Sequence, residues 1–232
     1  MNQQEELNEL QDIWKKKHLN KGYSRFIYDG IVDADIWNSQ ETPKICYFLK
    51  EAYSSDPDGY HMDKWLAENR EPWKMWKKVA VWTKAIHCAF IGCQPFDSGV
   101  VSREAPALIH SIAAVNIKKS NGGSVSDYED IWKYAREDKE EIYRELEIIS
   151  PEIILCGYTL GYFKSIVGDE FVDMNTVDSM FGLWKDTLVI DYYHPACRYP
   201  NAVNYYALMA ICQNAKKQGC CGKYEQRLAA QI

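Results

Sequence analysis

Lys44-Ile45-Cys46-Tyr47-Phe48-Leu49-Lys50 sets five consecutive apolar residues between two lysines, directly after the breaker-rich stretch Asn38-Ser39-Gln40-Glu41-Thr42-Pro43. An apolar run this short and unbroken reads as a β-strand buried on both faces. Three further segments share that character: IAAVNI at 112–117, EIILCG at 152–157 and TLVIDY at 187–192. Helical patterns separate them. The most extended, 126–150, repeats Ile131, Tyr134, Ile142, Leu146 and Ile149 and stops at Pro151. Residues 4–21 place Leu7, Leu10, Ile13 and Trp14 at helical spacing and stop at Asn20-Lys21-Gly22, with Lys15 to Lys17 as a solvated end. Strands alternating with helices imply parallel crossovers. The expected fold is therefore α/β, a three-layer α/β/α sandwich with a central, mainly parallel sheet of about four strands. Ligands of such sheets sit beyond the carboxyl ends of the strands, which points to residues 50–59, 116–123, 157–161 and 193–200.

The chain has 232 residues, 47% apolar and 26% charged, enough for one domain with a sizeable core. No repeat, low-complexity tract or linker divides it, and a single domain over 1–232 is expected. Thirty-three acidic residues against 27 basic ones leave a net charge of -6, which excludes a uniformly basic coat for gripping nucleic acid; phosphate contacts must come from local patches. No run approaches the roughly 20 apolar residues of a membrane helix, and the opening MNQQEELNEL is not a secretory signal, so a cytoplasmic protein with no membrane partner is expected. Eight cysteines include no C-x-x-C pair, and several lie inside apolar runs; they read as reduced, mostly buried thiols. Residues 60–90 stand apart as a Trp/Lys-rich helical insertion. There Trp73, Trp76, Val79, Ala80 and Thr83 share one helical face, and Lys74, Lys77, Lys78 and Lys84 another. The commoner meaning is a core stripe backed by a solvated face; the sharper one is a basic strip touching phosphate.

Three strand ends carry residues suited to chemistry. After the first strand, Glu51, Asp56 and Asp58 are carboxylates that can orient water or stabilise a cationic sugar. Asp56-Pro57-Asp58-Gly59 also reads as an ordinary acidic turn, whereas Glu51 follows the strand directly. After the second, Asn116 offers a donor and an acceptor from one planar amide, which suits the edge of a nucleobase. Lys118, Lys119 and a Gly-rich turn follow it, although Asn121-Gly122-Gly123 is common turn chemistry. After the last, His194 is rigidified by Pro195, and Arg198-Tyr199, beside Pro200, makes a projecting loop able to enter a base stack.

In order and strand context these elements resemble the uracil-DNA glycosylase superfamily. Lys50-Glu51-Ala52 is similar to the Gly-Glu-Ala of its family-4 first motif, and His194-Pro195 to the start of its final His-Pro-Ser motif. Residues 116–157 look like the pattern Asn-x-x-Lys, helix, Leu-x-x-Pro-x-x-Ile-x-x-x-Gly. The likeness covers roughly 44–200. It implies that Glu51 orients the water, that His194 bonds the base oxygen gaining negative charge, and that Asn116 reads the base. It also implies that Phe96 of Gln94-Pro95-Phe96 stacks on the flipped base, with core packing as the plainer reading of that ring. Lys118, Lys119, Arg198 and Tyr199 would contact DNA, with Thr159 at a helix start adding backbone donors. The departures are informative. Ser120 and Asp138 stand where iron-sulfur members carry cysteines, so no cluster, metal or other cofactor is expected. Ala196 replaces the motif's Ser, and Ser54, where one branch has a Tyr, leaves the C5 side of the base open.

The implied function is a monofunctional DNA N-glycosylase, expected to be a monomer, that flips a damaged or modified base and hydrolyses its glycosidic bond. A catalytically silent module that senses or sequesters a modified base or nucleotide is the reading from another class, and a glycosidase acting on free nucleotides is a third.

Overall fold

Polar and glycine-rich breaks alternate with apolar runs, and the elements follow that alternation. The computed structural model describes residues 2–23, 25–53, 59–69, 74–92, 94–123, 125–174, 176 and 180–230. A capping box between Asn2 and Glu5 opens α1 (Gln3–Asn20), and Gly22, at φ +82, follows its end. β1 (Phe26–Tyr28), β2 (Gly30–Ile31) and α2 (Ala34–Ser39) lead into β3 (Ile45–Glu51). From there β4 (Gly59–His61), α3 (Met62–Glu68), α4 (Lys74–Ile91) and α5 (Ser98–His110) bring the chain to β5 (Ile112–Lys118). α6 (Tyr128–Glu137) and α7 (Lys139–Ile149) connect to β6 (Ile153–Gly157). α8 (Leu160–Val167), β7 (Phe171–Asp173), β8 (Phe181–Trp184) and β9 (Thr187–Tyr192) follow, and α9 (Asn201–Lys217) and α10 (Gly222–Ala229) come last.

The protein is α/β, with a seven-stranded mixed sheet in the order β2-β5-β3-β6-β9-β8-β7 and a small parallel β1-β4 pair. Its middle strands, β5, β3, β6 and β9, run parallel, and β2, β8 and β7 are antiparallel additions at the edges. The expected sheet of about four strands is thus corrected to seven. The edge strands escaped notice because they are two to four residues long, too short to show the unbroken apolar run of a doubly covered strand. In β3, Ile45, Tyr47 and Leu49 enter the core shared with α3, α4, α5 and α9, and Cys46 and Phe48 enter the one shared with α1, α6, α7 and α8. Chain leaving β3 therefore crosses one face and chain leaving β5 the other. Such a divergence opens a crevice at the carboxyl edge.

The tryptophan-rich stretch is largely core. Trp76, Val79, Ala80 and Thr83 of α4 are buried, and the helix packs on α5 and α9, while Lys74 and Lys77 face solvent. Trp73 lies outside the described residues. The single helix expected over 126–150 is two helices broken at Asp138, whose buried carboxylate meets His18 Nε2 at 2.6 Å. Lys17, expected in solvent, also reaches Asp138 and bonds Glu141 at 2.7 Å. Ile13, counted with the apolar face, is exposed. Among the described residues no helix is long and apolar enough to cross a membrane.

The most consequential correction concerns Lys119. It is fully buried, its ammonium shared between Asp29 and Glu145, so it contacts no DNA. Gln11 of α1 donates to Glu145 at 2.6 Å and to the Asp29 carbonyl at 2.8 Å. Two dry carboxylates around one ammonium leave a surplus negative charge. Burial accordingly pushes Glu145 up to about 7, with Lys119 opposing the rise and Asp29 adding to it.

Removing one member of such a cluster strands the others, so Lys119→Met should lower unfolding free energy by about 3–5 kcal/mol in urea titrations. Glu145→Gln, which keeps shape and removes the surplus charge, should cost far less. Because the folded state raises the Glu145 pKa from 4.5 to about 7, its contribution is complete below pH 4.5 and is lost as pH rises through 7. That slope should flatten in Glu145→Gln.

Candidate active site

The parallel register of β3 and β5 sets Glu51 opposite Lys118 at the carboxyl edge. Lys118 Nζ stands 3.3 Å from Glu51 Oε2 and 2.6 Å from Asp130 Oδ2. Burial would lower the lysine's pKa, but the two carboxylates more than offset it and hold it above its ordinary value. Lys118 is thus an internal counter-ion rather than the expected free phosphate contact. The glycine turn closes over the same carboxylate: a Cβ on Gly122 would lie 2.6 Å from Glu51 Cγ and Cδ, and the Gly122 amide donates to the Ala52 carbonyl at 2.8 Å. Only a residue without a side chain permits that approach. Among the described residues Glu51 Oε1 is buried with no hydrogen-bond partner, so one oxygen is held by Lys118 and the other is left as an acceptor.

His194 follows β9, two strands from β3 in the sheet order. Its Nδ1 accepts from the Ala196 amide at 3.2 Å, which fixes the neutral tautomer with the proton on Nε2. Burial, aided by repulsion from the Lys50 ammonium, lowers His194 to about 4. Lys50 also lies over two exposed rings, 4.9 Å from the Tyr128 centroid and 5.7 Å from that of Tyr158. Tyr158 has φ +62, and its amide bonds the Tyr192 carbonyl at 2.8 Å, joining the loop after β6 to the end of β9.

The loop at 193–200 is pinned from two sides. Asn204 of α9 donates to the Tyr199 and Pro200 carbonyls at 3.2 Å, and Lys78 of α4 donates to the Cys197 carbonyl. Arg198 and Tyr199 project from it, exposed as the sequence suggested. Between this loop and the start of α4 runs a groove of about 880 Å3, walled by Lys74, Lys77, Arg198 and Tyr199.

Other expected site residues are placed differently. Asn116 is buried, and both its backbone and side-chain amides donate to Asp29 Oδ2, at 2.8 and 3.0 Å. Its donor half is therefore consumed internally. Thr159 does precede α8 as expected, but it is fully buried and its hydroxyl donates to the Phe48 carbonyl at 2.7 Å, so it braces the strand and offers a phosphate nothing. Phe96 packs against Tyr205 with ring centroids 5.4 Å apart, and its amide donates to the Tyr206 hydroxyl; it belongs to the α9 packing. Ser120 bonds the Tyr134 hydroxyl at 2.6 Å, and Asp138 is occupied by His18. Ser54, Asp56 and Asp58 lie outside the described residues. Sequence reading assigned no role to Lys50 and Tyr158, which lie in the strand-end stretches 50–59 and 157–161, and missed Tyr128 and Asp130 altogether.

Comparison with protein-family models, with curated proteins and with solved structures finds no match to this chain.

In 15N-detected NMR titrations the His194 imidazole should remain neutral down to about pH 4. Lys50→Met should raise that midpoint, because a cation that opposes protonation is gone. An ordinary imidazole midpoint in the wild type would show that His194 is solvated rather than held neutral.

Proposed function

We propose that this protein is a monofunctional DNA base-excision glycosylase acting as a monomer. The observation that carries the reading is the pairing, at one sheet edge, of a buried carboxylate with an unpartnered oxygen and an imidazole held neutral with one nitrogen already occupied. Hydrolysis of an N-glycosidic bond needs both. As the bond from C1′ to the base nitrogen lengthens, its electron pair moves onto the base and the sugar takes on oxocarbenium character. Glu51 would counter that positive charge and orient the water that adds to C1′, accepting the proton the water gives up. His194 Nε2–H would donate to the base oxygen on which negative charge gathers. A neutral donor fits that task, since it strengthens with developing charge and need not transfer its proton. Lys50 adds positive potential on the departing-base side.

The arrangement supports the order and strand-end placement of motifs that resemble the uracil-DNA glycosylase superfamily. Base selection would differ from the simple expectation for Asn116. Asn116 is buried with its amide nitrogen held by Asp29, so it would not supply the donor that reads the base. The silent-sensor reading is favoured by one feature, the Glu51–Lys118 ion pair, which already occupies one oxygen of the carboxylate.

Base release from a panel of damaged and modified DNAs, followed by mass spectrometry, separates the two. Glu51→Gln and His194→Ala should each lower the single-turnover excision rate by roughly 100 to 1,000-fold while leaving DNA affinity within a few fold. Tight binding with no released base from any substrate would establish the sensor instead.

A further inference from the structure

Charge at the carboxyl edge is distributed unevenly, and uncovered aromatic rings line it. On the flank formed by α6, the first helical turn carries Glu129 and Asp130 just after the capping Asp127, and the lysine beside them, Lys118, is already held by Asp130 and Glu51. Tyr128 and Tyr158 nevertheless stand there, 52% and 62% exposed. The flank formed by α4 and the 193–200 loop is the reverse. Lys74, Lys77 and Arg198 wall its groove, are exposed and form no ion pair among the described residues, and the half-exposed rings of Tyr193 and Tyr199 lie 4.8 Å apart.

We propose that this edge binds single-stranded rather than double-stranded DNA, an inference that rests on reading the edge as the DNA site. The phosphates would follow Lys74, Lys77 and Arg198, and bases would stack on Tyr158 and Tyr199, the exposed rings of two loops that meet beside His194. A duplex brings two phosphate backbones, one of which would face the carboxylates of α6. A single strand needs one cationic track and π-faces for its bases. The backbone of Tyr158 points the same way. Its φ of +62 is one that bulky residues rarely adopt, yet the position carries a large, mostly exposed ring whose one described cation contact is Lys50. The overall charge of -6 adds a repulsion that grows with the phosphate density of the ligand.

The test measures fluorescence anisotropy with a labelled oligothymidylate of about 20 nucleotides, free and paired with oligoadenylate, in about 0.1 M salt. The single strand should bind at least about tenfold more tightly than the duplex. Its log affinity should fall with log salt at a slope of about -2, the value for three phosphate contacts on a single strand. Tyr158→Ala and Tyr199→Ala should each weaken single-strand binding by about tenfold, and Tyr158→Phe should restore it. Tyr158→Gly, which removes ring and backbone strain together, should lose as much as the alanine variant, and circular dichroism checks that each variant is folded. Duplex affinity equal to or above that of the single strand, weak binding to both, or alanine variants at wild-type affinity would overturn the proposal. The outcomes separate from those of the glycosylase reading: single-strand binding without base release removes the glycosylase and leaves this inference, whereas base release confined to duplex does the opposite.

Discussion

The ammonium of Lys119, buried between the carboxylates of Asp29 and Glu145, is the interaction on which the rest of the carboxyl edge depends. It joins the β1–β2 turn, the residue after β5 and α7, and through Gln11 it adds α1. Each charge is too costly to bury alone, so the four segments are confined to one arrangement. Asp29 spends its second oxygen on Asn116, and the Lys119 carbonyl accepts from the Ile27 amide. With the end of β5 fixed at these points, the turn that follows delivers Gly122 onto Glu51. A charge cluster with no access to solvent thereby anchors the turn that closes on Glu51.

The same economy of charge decides which cations are available to a ligand. Lys118, Lys119 and Lys78 are engaged by carboxylates or by backbone carbonyls. Among the described residues Lys74, Lys77 and Arg198 form no ion pair and share one flank, and Lys50 lies over Tyr128 and Tyr158 on the other. A polyanion is repelled where a protein's own carboxylates gather, and the first turn of α6 carries Glu129 and Asp130 on the other flank. His194 sits at this boundary. Its neutrality follows from burial and from Lys50, and its tautomer from the Ala196 amide, so the proton is on Nε2.

Much of this was legible. Runs at 44–50, 112–117, 152–157 and 187–192 correspond to the parallel strands in the middle of the sheet, and Glu51 and His194 lie at the ends of two of them, where ligands of such sheets are expected. Adjacent residues were harder to tell apart. Lys118 and Lys119 look alike in sequence, yet one ends the strand and the other turns beneath it into the core. The break at Asp138 was hidden because both halves of 126–150 keep the same apolar period, and the interruption answers to His18, 120 residues away. Phe96 and Thr159 differ from expectation for a related reason, since an aromatic ring or a helix-start residue near a site is as readily used by the core as by a ligand.

Apolar periodicity, breakers and caps by themselves determined the α/β class, the central strands and the edge at which the candidate residues lie, because those signals act between residues close in the chain. Tertiary structure alone decided the charge state and availability of each side chain at that edge. Whether a lysine meets a phosphate or a buried carboxylate depends on partners such as Asp29 and Glu145, 90 and 26 residues away from Lys119. Electrostatic energy depends on distance and burial in the folded chain, and spacing along the sequence records neither.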